Sequence, residues 1–254
     1  MDNSSTIVSL RAAGWRAYES GDTERALELI EQCFECGPDD PKTYELLGLL
    51  QYSTGHYESS VNSLESASLQ IPLRLSARVC LAHGYGRVGR RKLSYDLLLN
   101  LIDAPQIPVS LLLQVAIGLD QVDRPDVAVV ACRRATELDP ESAQAQYDVG
   151  YYIGRCGGPI CQVESFARRA ISLAPHAVEY RTGLAGLLLQ QDRRDEAYEL
   201  VCNLSNQEIE SIGCVCCLRR VADLFERAHD YRRLVVVQQH MVLIENTRET
   251  DHGC

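Results

Sequence analysis

Residues 135–140 read ATELDP, and residues 170–175 read AISLAP. The two stretches lie 35 residues apart. Both place an alanine first, a leucine three residues on and a proline two further. The echo raises the question of whether the chain is built from copies of one unit. Working outward, the first punctuation is proline. Pro38, Pro41, Pro72, Pro105, Pro108, Pro125, Pro140, Pro159 and Pro175 each mark a boundary or a first helical turn, because proline within a helix loses a hydrogen bond and clashes with the previous turn. The segments between them are rich in Leu and Ala, with apolar residues at three- and four-residue spacing. That spacing is the signature of helices, and no segment alternates as a strand does.

A second punctuation is a beat of small residues. Gly14, Gly48, Ala82, Ala116 and Gly150 follow one another at 34-residue intervals, and Ala185 and Ala222 continue the series. Each precedes a turn by seven residues: Gly21-Asp22, Gly55-His56, Gly89-Arg90, Asp123-Arg124, Gly157-Gly158, Asp192-Arg193 and His229-Asp230. After each turn a second apolar helix begins, with alanines such as Ala26, Ala128 and Ala197 at one site and Ala67, Ala135 and Ala170 at another. The unit is a helix–turn–helix of about 34 residues. Seven copies are expected, near 7–40, 41–74, 75–108, 109–142, 143–177, 178–211 and 215–248, forming one domain between flexible ends at 1–6 and 249–254. The small residues let paired helices cross closely, while larger neighbours such as Leu47, Leu81, Val115 and Val149 fill the gaps. Stacked copies then share a continuous core.

The best copy carries Tyr44, Leu47, Gly48, Gly55, Tyr57, Ala67 and Pro72, and the fourth carries Val115, Ala116, Leu119, Ala128, Ala135 and Pro140. This pattern resembles the tetratricopeptide repeat family over nearly the whole chain. The third copy departs from it with Ser94 at its first alanine site, and the last two lack the terminal proline. The resemblance implies an all-α, right-handed solenoid whose first helices line a groove that binds a peptide or helix of a partner protein.

Projecting the groove stripe of each first helix gives Arg11 and Trp15 in the first copy, Leu49 and Tyr52 in the second, and Val79, His83 and Arg87 in the third. Leu113 and Ile117 follow in the fourth, and Tyr147, Tyr151 and Arg155 in the fifth. The stripe is apolar and aromatic in its middle with arginines at one edge, which suits an apolar or amphipathic segment carrying acidic groups. A carboxylate clamp of the kind some family members use is not expected, since Trp15, Leu46, Ser76 and Cys80 stand where its polar residues would be. The final helix holds Val236, Val237, Met241 and Ile244 on more than one stripe. A terminal repeat without a polar outer face predicts self-association there, as a two-fold homodimer.

Charge and composition narrow the function further. The net charge is −10, with 25 basic against 35 acidic residues, so nucleic-acid binding is not expected. No stretch approaches the roughly 18 apolar residues of a membrane span, and the N-terminus has no basic start followed by an apolar core. A cytoplasmic protein is expected. Eleven cysteines include Cys33-x-x-Cys36, Cys156 and Cys161, and Cys214-x-Cys216-Cys217. Zinc would need four placed ligands, so the thiols are read as small buried hydrophobes, with no metal and no cofactor. No phosphate loop, nucleophile elbow or HExxH pair is present. The reading is a non-catalytic adaptor for a protein or peptide partner. The alternatives are a self-assembling scaffold and an accessory protein with a cysteine-bound metal.

Overall fold

All seven expected turns open on a residue with left-handed backbone: Gly21, Gly55, Gly89, Asp123, Gly157, Asp192 and His229, with φ between 58° and 81°. The computed structural model describes the main chain of residues 3–37 and 40–251, and the side chains of 5–37 and 40–246. At each turn the next amide reaches back to close the helix, as Asp22 N–H does to Ala17 C=O (2.9 Å) and Asp230 N–H to Phe225 C=O (2.8 Å). This six-residue closure needs a left-handed residue at its centre, where glycine carries no steric cost.

The turns join seven helix pairs. They are α1 (Asn3–Glu19) with α2 (Thr23–Cys36), α3 (Pro41–Ser53) with α4 (Tyr57–Ser68), and α5 (Leu75–Arg87) with α6 (Arg91–Ile102). Next come α7 (Val109–Gln121) with α8 (Pro125–Leu138) and α9 (Ala143–Arg155) with α10 (Ile160–Leu173). The last two are α11 (Val178–Gln190) with α12 (Arg194–Val201), and α14 (Val215–Arg227) with α15 (Tyr231–Asp251). Asp22, Asp40 and Ser142 cap the starts of α2, α3 and α9 by accepting a backbone N–H three residues on, which satisfies one of the orphan donors of a first turn. Among the described residues there is no strand, and no helix is long and apolar enough to cross a membrane.

The chain divides into two compact units, residues 1–138 and 139–254. A repeat array touches only its neighbours, so it can divide between any two copies. The sixth copy has a short second helix, α12, followed by α13 (Asn206–Glu210). Ser205 and Glu208 cap α13 reciprocally, and Leu204, Ile209 and Ile212 fill the core that a longer α12 would have filled. Residues 3–6 and 249–251 are the ends of α1 and α15. The rest of those two segments, residues 1–2 and 252–254, lie outside the described residues.

Small residues hold each pair together. A Cβ on Gly48 would lie 2.5 Å from Leu64 Cγ, and one on Gly150 would lie 3.0 Å from Phe166 Cβ. Ala26, Ala67, Ala128, Ala135, Ala170 and Ala197 are all fully buried. Ser60 and Ser94 occupy the first alanine site in the second and third copies. Ser60 Oγ donates to Gly48 C=O at 2.6 Å, whereas the buried Ser94 Oγ has no partner.

Candidate functional site

The expected groove stripe divides into core and surface. Leu49 and Val79 are fully buried, and His83 nearly so. These three are corrected to core residues, because successive first helices pack directly on this stripe: α3 on α1 and α5, and α5 on α7. His83 Nε2 lies 2.9 Å from Gln114 C=O in α7, and Gly118 is bare where a Cβ would meet that same nitrogen. Burial holds His83 below the ordinary histidine range, against the opposing hydrogen bond to Gln114. The ring is therefore neutral near pH 7, with its Nε2–H donating to the carbonyl.

Most of the remaining N-terminal stripe residues are engaged within their own unit. Arg11 pairs with Asp40 at 2.5 Å. Trp15 lies under the Arg74 guanidinium, 4.0 Å from the ring centre. Tyr52 is half-buried between Tyr57 and His83, and Arg87 is exposed over the Tyr57 ring. Leu113 is half-buried and Ile117 exposed. A cleft of about 620 Å³ exists in this unit beside Trp15, and Arg74 and the buried Glu45 narrow it.

The C-terminal unit is different. There Tyr147, Tyr151 and Arg155, the last three residues of the projected stripe, line one cleft of about 650 Å³. Its other walls come from Gly183, Gly186, Leu187 and Gln190 of α11, from Cys217 and Arg220 of α14, and from Val163 of α10. Tyr151 is 46% exposed. Tyr147 stacks on Tyr180 with ring centres 4.7 Å apart, and its hydroxyl occupies the place a Cβ on Gly183 would take. Burial, with the nearby Cys217 thiol adding to it, pushes the Tyr147 hydroxyl up to about 12, so it is a neutral hydrogen-bond donor at any physiological pH. Gly186 plays the matching part for Arg220, whose guanidinium lies 2.8 Å from the bare position. The bare glycines of α11 thus seat the Tyr147 hydroxyl and the Arg220 guanidinium, and the cleft opens beside them among two tyrosines and two arginines.

Beside the cleft, burial raises Asp148 to about 6, against a hydrogen bond from the Gln144 amide that holds it down. Gln144 in turn accepts from the Tyr180 hydroxyl at 2.9 Å, so a polar chain braces α9 against α11. At the start of α14 the thiols of Cys214, Cys216 and Cys217 all lie within 4.8 Å of one another. The neighbouring Cys216 thiol and the Cys217 amide bring Cys214 down to about 7, while burial and the other two thiols drive Cys217 up to about 12.

Sequence reasoning stopped the stripe at the fifth copy and missed the walls from α11 and α14. Carrying the same offsets into the sixth copy reaches Gly186 and Gln190, so a signal was present. The same offsets from Ala222 in the last copy reach Arg219 and Asp223, so Arg220 falls one residue and Cys217 two residues beside the projected stripe.

The comparisons agree with the repeat geometry. No protein-family model and no curated protein matches the sequence. Among solved structures, PilF of Pseudomonas aeruginosa superposes with a TM-score of 0.63 at 11% identity, over 79% of this chain and 90% of that one. MamA from AMB-1 gives 0.53 at 21% identity, over 66% and 98%. YrrB, described as a TPR protein with an unusual peptide-binding site, gives 0.53 at 15%, over 77% and 91%. The chain has the tetratricopeptide-repeat fold. In this fold the seven copies are the seven helix pairs, with α13 as an insertion between the sixth and seventh.

The expected self-association residues of α15 need a correction. Val237 is fully buried in the core of its own unit, and Val236, Met241 and Ile244 pack against that core. This face covers the last helix pair, packing on the core that it shares with α11, α12 and α14. The outward apolar residues are Val235, Val242 and Leu243, at 49%, 55% and 63% exposure.

Proposed function

We propose that the chain is a non-catalytic adaptor that binds an apolar or amphipathic segment of a partner protein in the C-terminal cleft. The observation that carries this reading is one cleft of about 650 Å³ lined by Tyr147 and Tyr151 on one side and Arg220 on the other, with the Tyr147 hydroxyl and the Arg220 tip seated against Gly183 and Gly186. Tyrosines offer large, rigid contact area with a polar tip. Arg220 makes no hydrogen bond or ion pair among the described residues, so it can receive an acidic group of the segment. Such an occupant combines one or two large apolar side chains with a carboxylate at their edge, bound as helical scaffolds bind short peptides. The peptide-binding site named for YrrB supports the class of ligand, and a chaperone-like hold on an exposed apolar segment falls within it.

Twelve-residue peptides selected by phage display on the purified chain test this. The reading expects enrichment of an aromatic or aliphatic anchor next to Asp or Glu, and at least tenfold weaker binding to Tyr151→Ser/Arg220→Glu. Selected peptides that bind this variant with unchanged affinity overturn it.

A second reading rests on the exposed stripe of Val235, Val242 and Leu243 on α15. A homodimer through this stripe predicts a dimer by light scattering that Leu243→Glu converts to monomer. A monomer at high micromolar concentration contradicts it.

A further inference from the structure

We propose that Cys214, Cys216 and Cys217 together bind one soft, thiophilic cation of the copper(I) class at the start of α14. Their three sulfur atoms lie within 4.8 Å of one another. Three sulfurs in a plane at about 2.3 Å from a common centre stand about 4 Å apart, so the cluster needs only side-chain rotation to close on an ion. Cys214 and Cys216 are the pair to move, since their sulfurs are now 2.7 Å apart. Both are exposed, and the preceding Gly213 has open space around it.

The thiols do not serve packing as a group. Cys33 and Cys132 are buried, as small hydrophobes should be, but Cys214 and Cys216 are not. Only Cys217 touches the core, and only in part. Three thiolates this close repel one another unless a cation sits among them. Cys214 is the N-cap of α14, which puts all three sulfurs in its first turn, where unpaired amides and the helix dipole favour negative charge. Arg220 stands one turn on from Cys216, a further offset to an anionic complex.

The class of ion follows from number and softness. Among the described residues no fourth Cys, His, Asp or Glu joins the cluster. Structural zinc is four-coordinate, whereas all-thiolate sites favour soft ions, and three sulfurs complete a trigonal copper(I) centre. Binding releases the thiol protons to solvent and moves no electrons. Cys217 also lines the cleft, so the ion and the proposed peptide would share one residue, but the metal site stands on the three thiols alone.

The test is an anaerobic titration of the reduced protein with copper(I) against a chromophoric copper(I) chelator. The expected result is one tightest-class copper per chain, absent from Cys214→Ser/Cys216→Ser/Cys217→Ser. Cys216→Ser alone, at an exposed site that the fold does not need, should bind at least about 100-fold more weakly, the upper end of what outer partners command. Cys156→Ser/Cys161→Ser, which removes two exposed thiols elsewhere, should keep the site. X-ray absorption should report three sulfur neighbours. Retention of the tightest copper by the triple variant overturns the proposal. So does loss of it in the Cys156/Cys161 control, or a four-coordinate signature.

Discussion

The two units use the same helix pair and reach opposite outcomes on the same stripe. In the N-terminal unit, Leu49, Val79 and His83 are consumed by packing between successive first helices. In the C-terminal unit, the corresponding face lines a cleft of about 650 Å³ in which Tyr151 stays 46% exposed. The difference lies in what each missing side chain makes room for. Gly48 makes room for the body of Leu64, and Gly118 for Leu98 and His83, so those gaps are filled by core. Gly186 makes room for the tip of Arg220, a flexible group at the surface. Gly48 and Gly118 face core side chains and close their repeats, whereas Gly183 and Gly186 seat the Tyr147 hydroxyl and the Arg220 tip at the edge of a cleft.

The comparison can be broken hardest at Gly48. Gly48→Leu should cost about 3 kcal/mol in urea unfolding, since Leu64 and the Ser60 carbonyl cannot both retreat. Gly186→Ala should instead be neutral or stabilising by up to about 1 kcal/mol, because Arg220 can move aside and alanine is the better helix former. Equal losses at the two positions would erase the distinction.

The next effect belongs to Asp148, which braces the open unit while carrying a charge that burial disfavours. Its folded pKa of about 6 lies above that of an ordinary carboxylate. Such an acid destabilises the fold where it is ionised, so stability should rise as pH falls from about 7 to about 4. Asp148→Asn should gain about 2 kcal/mol at pH 7.5, at 1.36 kcal/mol per pKa unit with an allowance for partial exposure. The gain should vanish near pH 4, and a variant whose advantage is independent of pH would contradict burial of the charge as its cause.

Within the closed unit, Ser60 and Ser94 supply a finer contrast. Ser94→Ala should stabilise by about 1 kcal/mol by removing an unpartnered buried hydroxyl, and Ser60→Ala should destabilise by a similar amount by losing the bond to Gly48. Thermal unfolding of the two variants reads the opposite signs. The smallest effect is at the last turn. His229 holds φ at 58° without being glycine, and His229→Gly should raise stability by about 0.5 kcal/mol.

The helix pairs and all seven turns were legible because their signals are local. Proline blocks a helix wherever it stands, and a left-handed turn selects glycine or a tolerant Asp or His regardless of what surrounds it. Ser94 was legible as a departure, and its unpartnered hydroxyl is the cost of that departure. The site was only partly legible. Repeat register alone groups Tyr147, Tyr151 and Arg155 on one stripe. Leu49, Val79 and His83 were misplaced because their exposure depends on the spacing of neighbouring first helices. Residues some 35 positions away, such as Gly118 opposite His83, set that spacing. The Ser205-x-x-Glu208 capping box announces α13 in plain sequence. The last copy keeps its internal register past that insertion, with Ala222 seven residues before the turn at His229, and Arg220 and Cys217 stand beside the projected stripe, where a projection at fixed offsets does not reach.

The most direct measurement is calorimetric titration of a phage-selected peptide into three proteins: the unaltered chain, Tyr151→Ser/Arg220→Glu, and Val8→Ser/Lys42→Glu, which alters two residues that line the N-terminal cleft beside Trp15. Loss of at least about 1.4 kcal/mol of binding in the C-terminal variant, a tenfold weaker Kd, with none in the N-terminal one is the predicted result. Full affinity in the C-terminal variant, with the loss falling on Val8→Ser/Lys42→Glu, would contradict the account and move the site to the other unit.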